Sequence, residues 1–191
     1  MTLTIATWNV RTLLDNNNLL RRRTAVVAHE LKRYNIDICA LAETRFHGED
    51  AIEESGEGYT FFWKGVDPGN RRLHGVGFAV RTSLLSNIQE SPIGINERLM
   101  TWRIPLAKGR YATLLSVYAP TLDSDTDTKE NFYDELYSAL SRIPKEDKIL
   151  LLGDFNARVG TDHAIWRGIL GKHGIGKCNS NGTRLLALSS S

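Results

Sequence analysis

The sequence predicts a layered α/β domain whose polar side chains gather where strands end. Three observations carry that reading. Residues 36–43 (Ile-Asp-Ile-Cys-Ala-Leu-Ala-Glu) and 148–156 (Lys-Ile-Leu-Leu-Leu-Gly-Asp-Phe-Asn) are apolar runs that stop abruptly at carboxylates. Such runs suit central strands covered on both faces. A stretch of helical periodicity separates the first of them from an earlier strand pattern, so the chain opens strand, helix, strand. Residues 59–118 then alternate strand patterns with short turns, which argues antiparallel pairing.

The elements follow in order. Residues 3–8 read as a strand, with Leu3, Ile5 and Thr7 alternating against Thr4, Ala6 and Trp8, and the strand ends at Asn9. Asp15-Asn16-Asn17-Asn18 offers capping side chains. The helix that follows places Leu20, Val27, Leu31 and Tyr34 on its inner face. Its other face carries Arg21, Arg22, Arg23, Lys32 and Arg33, a solvated charge run, with a phosphate-facing role as the alternative. The strand at 36–43 delivers Glu43. Residues 47–58, polar and acidic with two glycines near the end, read as an irregular connection. Strands are expected at 59–64 and 75–81 around a Pro-Gly-Asn-Arg-Arg turn. In 99–104, Met100, Trp102 and Ile104 share one face and Thr101 and Arg103 the other. Lys108-Gly109 turns the chain, 111–118 resumes the sheet, and Pro120 stops it. The acidic loop at 123–127 lacks the glycine and distal glutamate of a calcium loop. A helix over 128–142 should bury Phe132, Leu136, Ala139 and Leu140, with Pro144 just beyond its end. After Gly160, glycines interrupt every pattern until residues 184–188.

With 191 residues and 41% hydrophobic composition, the chain suits one domain spanning 1–191. A net charge of +2 permits a polyanionic partner without demanding one. Two distant cysteines, Cys39 and Cys178, exclude a disulfide framework and a cysteine-based zinc site, which makes a reducing compartment the expectation. No apolar leader or membrane-length span occurs, so the protein is expected to be soluble and intracellular.

Asn9, Glu43, Asp154 and Asn156 all fall at the ends of predicted core strands, and Tyr118 stands just before a strand-ending Ala119-Pro120. Layered α/β domains commonly build their sites from such strand mouths. One carboxylate suffices for a hard divalent ion of the magnesium type, which keeps several waters. A second carboxylate can activate water, and amide and phenol groups can bind phosphate oxygens. The inventory fits metal-assisted phosphoester hydrolysis.

Four segments make the pattern specific: Thr7-Trp8-Asn9-Val10, Leu41-Ala42-Glu43-Thr44-Arg45, Ser116-Val117-Tyr118-Ala119-Pro120 and Gly153-Asp154-Phe155-Asn156. In order and spacing they resemble the endonuclease/exonuclease/phosphatase, or DNase I-like, superfamily. The finer resemblance is to the endonuclease domain of LINE-type retrotransposons, and Gly153 to Gly160 and Gly171-Lys172-His173-Gly174 with Asn179-Ser180-Asn181-Gly182 look like retrotransposon-derived proteins. The resemblance runs from Leu3 to Leu188. It implies a four-layer, two-sheet α/β sandwich acting as a magnesium-dependent DNA endonuclease, with manganese as the alternative ion, in the nucleus. By resemblance, Glu43 is the main metal ligand with Asn9 beside it, and Tyr118 orients the scissile phosphate. Asp154 deprotonates the attacking water, and Asn156 holds a phosphate oxygen. The family pattern also runs on to a later Asp-His-like motif. None of His29, His47, His74, His163 or His173 matches it, so the fold is expected to be incomplete at its C-terminus. The alternative is therefore an inactive fragment that retains nucleic acid or protein binding. Head-group motifs of the superfamily's phosphoinositide phosphatases and sphingomyelinases are not apparent.

Overall fold

The structure, a computed structural model, describes residues 2–16 and 21–190. Leu20 of the expected helix face and Asn17 and Asn18 of the capping loop lie outside the described residues. The chain divides into two compact units: Met1–Tyr118 with Pro144–Gly153, and Ala119–Ile143 with Asp154–Ser191.

The first unit holds two sheets. One has the order β1 (Ile5–Asn9), β2 (Ile38–Ala42), β5 (Val76–Arg81), β4 (Tyr59–Lys64), β3 (Glu49–Glu54); the other runs β6 (Ile93–Asn96), β7 (Leu99–Pro105), β8 (Tyr111–Tyr118), β9 (Lys148–Asp154). β1 and β2 pair in parallel across α1 (Arg23–Arg33), while β5 runs antiparallel to β2 and β4, and β3 antiparallel to β4. Successive side chains of β2 face opposite ways. Ile38, Ala40 and Ala42 join Phe78, Met100, Trp102, Ile104 and Leu114 in a core between the sheets. Cys39 and Leu41 join Val27, Ala28 and Leu31 of α1 in a second core on the other face. That double coverage explains the uninterrupted apolar run. The Ser116 hydroxyl donates to Leu41 O at 3.1 Å and ties the two sheets together. The architecture is the two-sheet α/β sandwich expected from the sequence.

Several expectations change. α1 has no side-chain cap at Arg22, its N-cap residue. Instead Asp15 Oδ1, eight residues before the helix, accepts from Arg23 N at 2.7 Å. Tyr34 is not on the buried face: it follows the last helical residue and is 64% exposed. The acidic stretch read as irregular contains β3, an edge strand whose mostly exposed carboxylates hide its period-two pattern; Ile52 packs on the α1 side. β6 and the four-residue α2 (Thr82–Leu85) have no strong sequence signature. β9 is not central. Among the described residues it is an edge strand, with Ile149 48% exposed and only Leu150 and Leu152 against the core.

In the second unit, α3 (Thr126–Ser141) starts two residues earlier than its apolar pattern, because Asp125 caps Thr128 N at 2.7 Å. It buries Phe132 and Leu136. α4 (Ser180–Ser189) starts four residues before its periodicity, capped by Asn179 and anchored by Leu186. Tyr133 donates to Asn181 O at 3.3 Å and links the two helices. No described helix is long and apolar enough to cross a membrane.

Candidate active site

In the first unit the parallel register of β1 and β2 sets Asn9 opposite Ala42, the residue before Glu43. Past Ala42 the chain turns sharply, with Glu43 at φ 59° and Arg45 at φ 60°. Backbone hydrogen bonds from Thr44 N to Gly75 O and from Arg45 N to His74 O hold that turn at 3.0 and 3.1 Å. Gly75, at φ 133°, is required there: a Cβ would sit 2.3 Å from Thr44 Oγ1.

Glu43 then receives three donors. Asn9 Nδ2 reaches Oε1 at 2.8 Å, Arg45 Nη2 reaches Oε2 at 2.8 Å, and the Tyr118 hydroxyl also donates to the carboxylate. Burial alone would raise its pKa. The hydrogen bonds from Asn9, Arg45 and Tyr118 and the Arg45 charge together outweigh burial and hold it below the usual glutamate value. The carboxylate is therefore ionised at neutral pH.

Tyr118, nearly buried at the end of β8, is braced from behind. Arg98 donates to Tyr118 O at 3.2 Å and lies 5.4 Å from its ring centroid. Arg98 Nη2 also donates to His74 Nε2 at 3.1 Å. A guanidinium cannot accept, so Nε2 is the acceptor and the His74 proton sits on Nδ1. That Nδ1 is buried without a partner. Burial, and then the Arg98 charge, lower the His74 pKa, which keeps the ring neutral. Beyond the place of Arg45 two residues after Glu43, nothing in the sequence pattern marks Arg45 or Arg98 as functional, and His74 falls in a loop between strand patterns.

Among the described residues, no group of three or more His, Cys, Asp or Glu could hold a metal. Glu43 is instead a one-carboxylate oxygen donor, which fits a magnesium-type ion that keeps most of its waters, and Asn9 turns Nδ2 to the carboxylate and positions it. The Glu43 carboxylate is held ionised, and Arg45 already places a positive charge against it.

The second unit brings Asp154 and Asn156 together. Asp154 Oδ1 accepts from Asn156 N at 2.9 Å, and Asn156 takes a left-handed conformation at φ 47°. Asn156 Nδ2 donates to Ala119 O at 2.8 Å, while Ala119 N donates to Asp154 O at 2.9 Å. Both side chains thus project from a turn pinned to the segment that follows β8. The turn follows Gly153, at φ 149°, where a Cβ would lie 1.9 Å from Val117 O.

The chain resembles known proteins over nearly its whole length. Residues 6–184 match the model of the Endonuclease/Exonuclease/phosphatase family. The chain is 30% identical over 185 residues to Craniofacial development protein 2 of Bos taurus, covering 95% of this chain and 28% of that protein. It therefore spans less than a third of the curated relatives it matches. Among solved structures, the AP endonuclease LMAP of Leishmania major superimposes with a TM-score of 0.62 at 14% identity, over 95% of this chain and 63% of that one. An AP endonuclease of Archaeoglobus fulgidus superimposes with a TM-score of 0.57 at 20% identity, over 99% and 70%. At such identities these likenesses carry the fold alone. Since the family model covers nearly the whole chain, this protein belongs to the endonuclease/exonuclease/phosphatase family.

Proposed function

We infer that the chain is a divalent-metal-dependent phosphodiesterase of retrotransposon descent that nicks DNA in the nucleus. The observation that carries this reading is the Glu43 carboxylate, held ionised at a strand mouth by Asn9, Arg45 and Tyr118. Solved relatives of the same fold support DNA as the substrate: two are AP endonucleases, and a third is a TDP2 complexed with single-strand DNA product.

In this reading Glu43, with Asn9 beside it, holds magnesium, or manganese in its place. The ion, when bound, polarises a phosphoryl oxygen and neutralises developing charge. The remaining steps belong to side chains. Tyr118 orients the scissile phosphate through its hydroxyl. Asp154 takes a proton from the water whose oxygen attacks phosphorus, and the P–O bond to the leaving strand breaks with its electron pair on the leaving oxygen, which takes a proton from solvent. The Asn156 amide donates to a phosphoryl oxygen. Positioned acid–base help contributes ~10² to 10⁴-fold, and a single well-placed donor ~10² to 10³-fold.

The test is magnesium-dependent nicking of supercoiled plasmid, with Asp154→Ala and Glu43→Gln as variants. Asp154→Ala should lose at least about 100-fold in rate. Glu43→Gln should in addition weaken Mn²⁺ binding measured by electron paramagnetic resonance, a readout independent of turnover. A folded protein that never nicks in the presence of magnesium would sink the reading.

One observation favours a second reading, a fragment that binds DNA without cutting it. Arg45 already sits on Glu43 Oε2, and if that pair outcompetes the metal the carboxylate is neutralised without catalysis. Exposed Arg21, Arg22, Arg71 and Arg72 would supply phosphate contacts. Binding that weakens with salt while no nicking occurs supports it; no binding at low salt counts against it.

A further inference from the structure

The first turn of α4 contains a nearly inaccessible asparagine, Asn181, 1% exposed. Both hydrogens of its amide are used. Nδ2 donates to Asn156 O at 3.1 Å and to Pro120 O at 3.0 Å, so one side chain joins the turn after β9 to the segment after β8. Two facing carbonyls fix the amide orientation, because the flipped form would set Oδ1 against both oxygens. Oδ1 is left buried without a partner. A buried unpaired acceptor is a net cost to folding. Apolar packing at this position would avoid that cost, so what Asn181 contributes is its pair of donors.

The helix end is built to bring those donors in. Asn179 Oδ1 accepts from Gly182 N at 2.8 Å and from Arg158 N at 3.0 Å. Asn179 N returns a bond to Arg158 O at 3.0 Å. At Gly182 a Cβ would lie 1.9 Å from Arg158 O, so only glycine allows α4 to come this close to the segment after Asn156.

We propose that Asn181 is a positioning residue for the Asp154–Asn156 turn, holding the water-activating carboxylate and the phosphate-binding amide in register through the Asn156 carbonyl. The proposal rests on the phosphodiesterase reading for its catalytic consequence. Asn156 sits in left-handed backbone with its amide on Asp154 Oδ1. Loss of the Asn181 donors lets that backbone relax, and the Asp154 carboxylate moves with it. A displacement of about 1 Å costs on the order of 100-fold in rate.

The experiment compares Asn181→Ala with Asp125→Ala. The second variant removes the cap of α3, on Thr128, and none of the bonds to Asn156, Pro120 or Arg158. Asn181→Ala should lower kcat for plasmid nicking by about 10- to 100-fold and leave KM within about 3-fold. It should also speed hydrogen exchange of the Asn156 amide by at least about 10-fold. Asp125→Ala should also lower the melting temperature and keep most of the activity. If Asn181→Ala does not fold, Asn181→Ser, with one hydroxyl donor for two carbonyls, should show the same pattern at smaller size. Equal activity losses in the Asp125 and Asn181 variants, or an unchanged exchange rate at Asn156, overturns the proposal. Wild-type protein that does not nick overturns the phosphodiesterase reading and the catalytic half of this one. The Asn156 exchange rate then still decides whether Asn181 holds the turn.

Discussion

Asp147 offers a stability prediction with a pH signature. Its carboxylate has no exposed surface and takes three hydrogen bonds: Arg103 Nε at 2.7 Å, Arg103 Nη2 at 2.9 Å and Thr113 Oγ1 at 2.8 Å. It thereby ties the segment before β9 to both β7 and β8. Arg103 is a third exposed and also lies 3.7 Å from the Tyr111 ring centroid. Solvent screens its two bonds, which together contribute about 1 kcal/mol. Thr113 is 4% exposed, and its hydroxyl would lose a charged acceptor inside the protein, at a cost of about 2 kcal/mol. Asp147→Ala should therefore destabilise by about 3 kcal/mol. Asp147→Asn, which keeps an acceptor for Thr113, should cost about 1 kcal/mol. The hydrogen bonds from Arg103, opposed by burial and aided by Thr113, hold the folded pKa below the ordinary aspartate value. Because the folded pKa is the depressed one, the contribution is complete above the unfolded value and disappears as pH falls through the folded value. Urea unfolding followed by tryptophan fluorescence, from about pH 7 down to about pH 2, measures both effects. The gap between wild type and Asp147→Asn should close on the acid side. A gap that stays constant across that range, or an Asp147→Ala cost below about 0.5 kcal/mol, refutes the reasoning.

Three further outcomes are expected. Gly153→Ala should destabilise by about 2 to 5 kcal/mol, since it adds left-handed strain to an overlap with Val117 O; a change within about 0.5 kcal/mol in chemical denaturation contradicts this. Burial pushes the Cys39 thiol up to about 12, whereas Cys178 is exposed. A thiol reagent should therefore modify one cysteine in native protein and two in urea, and rapid native labelling of Cys39 is the contrary result. Ile149→Lys, on the exposed edge strand, should reduce concentration-dependent light scattering and shift stability by no more than about 0.5 kcal/mol. Undiminished scattering would show that this edge is not where copies associate.

The sequence reading worked where burial on both faces writes itself into composition. β2 and β8 lie where their apolar runs put them, and β2 delivers Glu43 one residue past its end. It failed where an element's identity comes from its neighbours. β3 carries four carboxylates in six residues and is a strand because β4 offers it a pairing edge. The apolar run of β9 is like that of β2, yet only one of the two is flanked on both sides within its sheet. Composition records hydrophobicity, not strand order. For the candidate site, the strand-end residues Asn9, Glu43, Tyr118, Asp154 and Asn156 stand out because polar groups interrupting apolar runs are visible locally. Arg45, His74, Arg98 and Asn181 do not, since each acquires its partner through register or close approach. Asn181 contacts a residue 25 positions away, and nothing in the local pattern of Asn179-Ser180-Asn181-Gly182 states that distance.

The two strand ends that carry the candidate chemistry use one backbone device. Past β1, Asn9 Oδ1 accepts from Arg11 N at 2.9 Å, and Arg11 lies at φ 60°. At the end of β9, Asp154 Oδ1 accepts from Asn156 N at 2.9 Å, and Asn156 lies at φ 47°. In each case the strand's last polar side chain folds back on the amide two residues ahead and drives that residue into left-handed backbone. Such a conformation costs about 1 to 2 kcal/mol for a residue with a side chain, so it persists only where surrounding bonds enforce it. The reward is rotational. With Oδ1 committed to Arg11, the Asn9 amide can present only Nδ2 to Glu43, and with Oδ1 committed to Asn156, the Asp154 carboxylate cannot turn freely. Glycine at Arg11 or Asn156 would relieve the strain and lengthen the list of accessible turns. It would also release the side chains these turns hold. The strain at the strand mouths is thus the structural counterpart of orientation: the side chains of Asn9 and Asp154 are held by turns that keep them from pointing elsewhere.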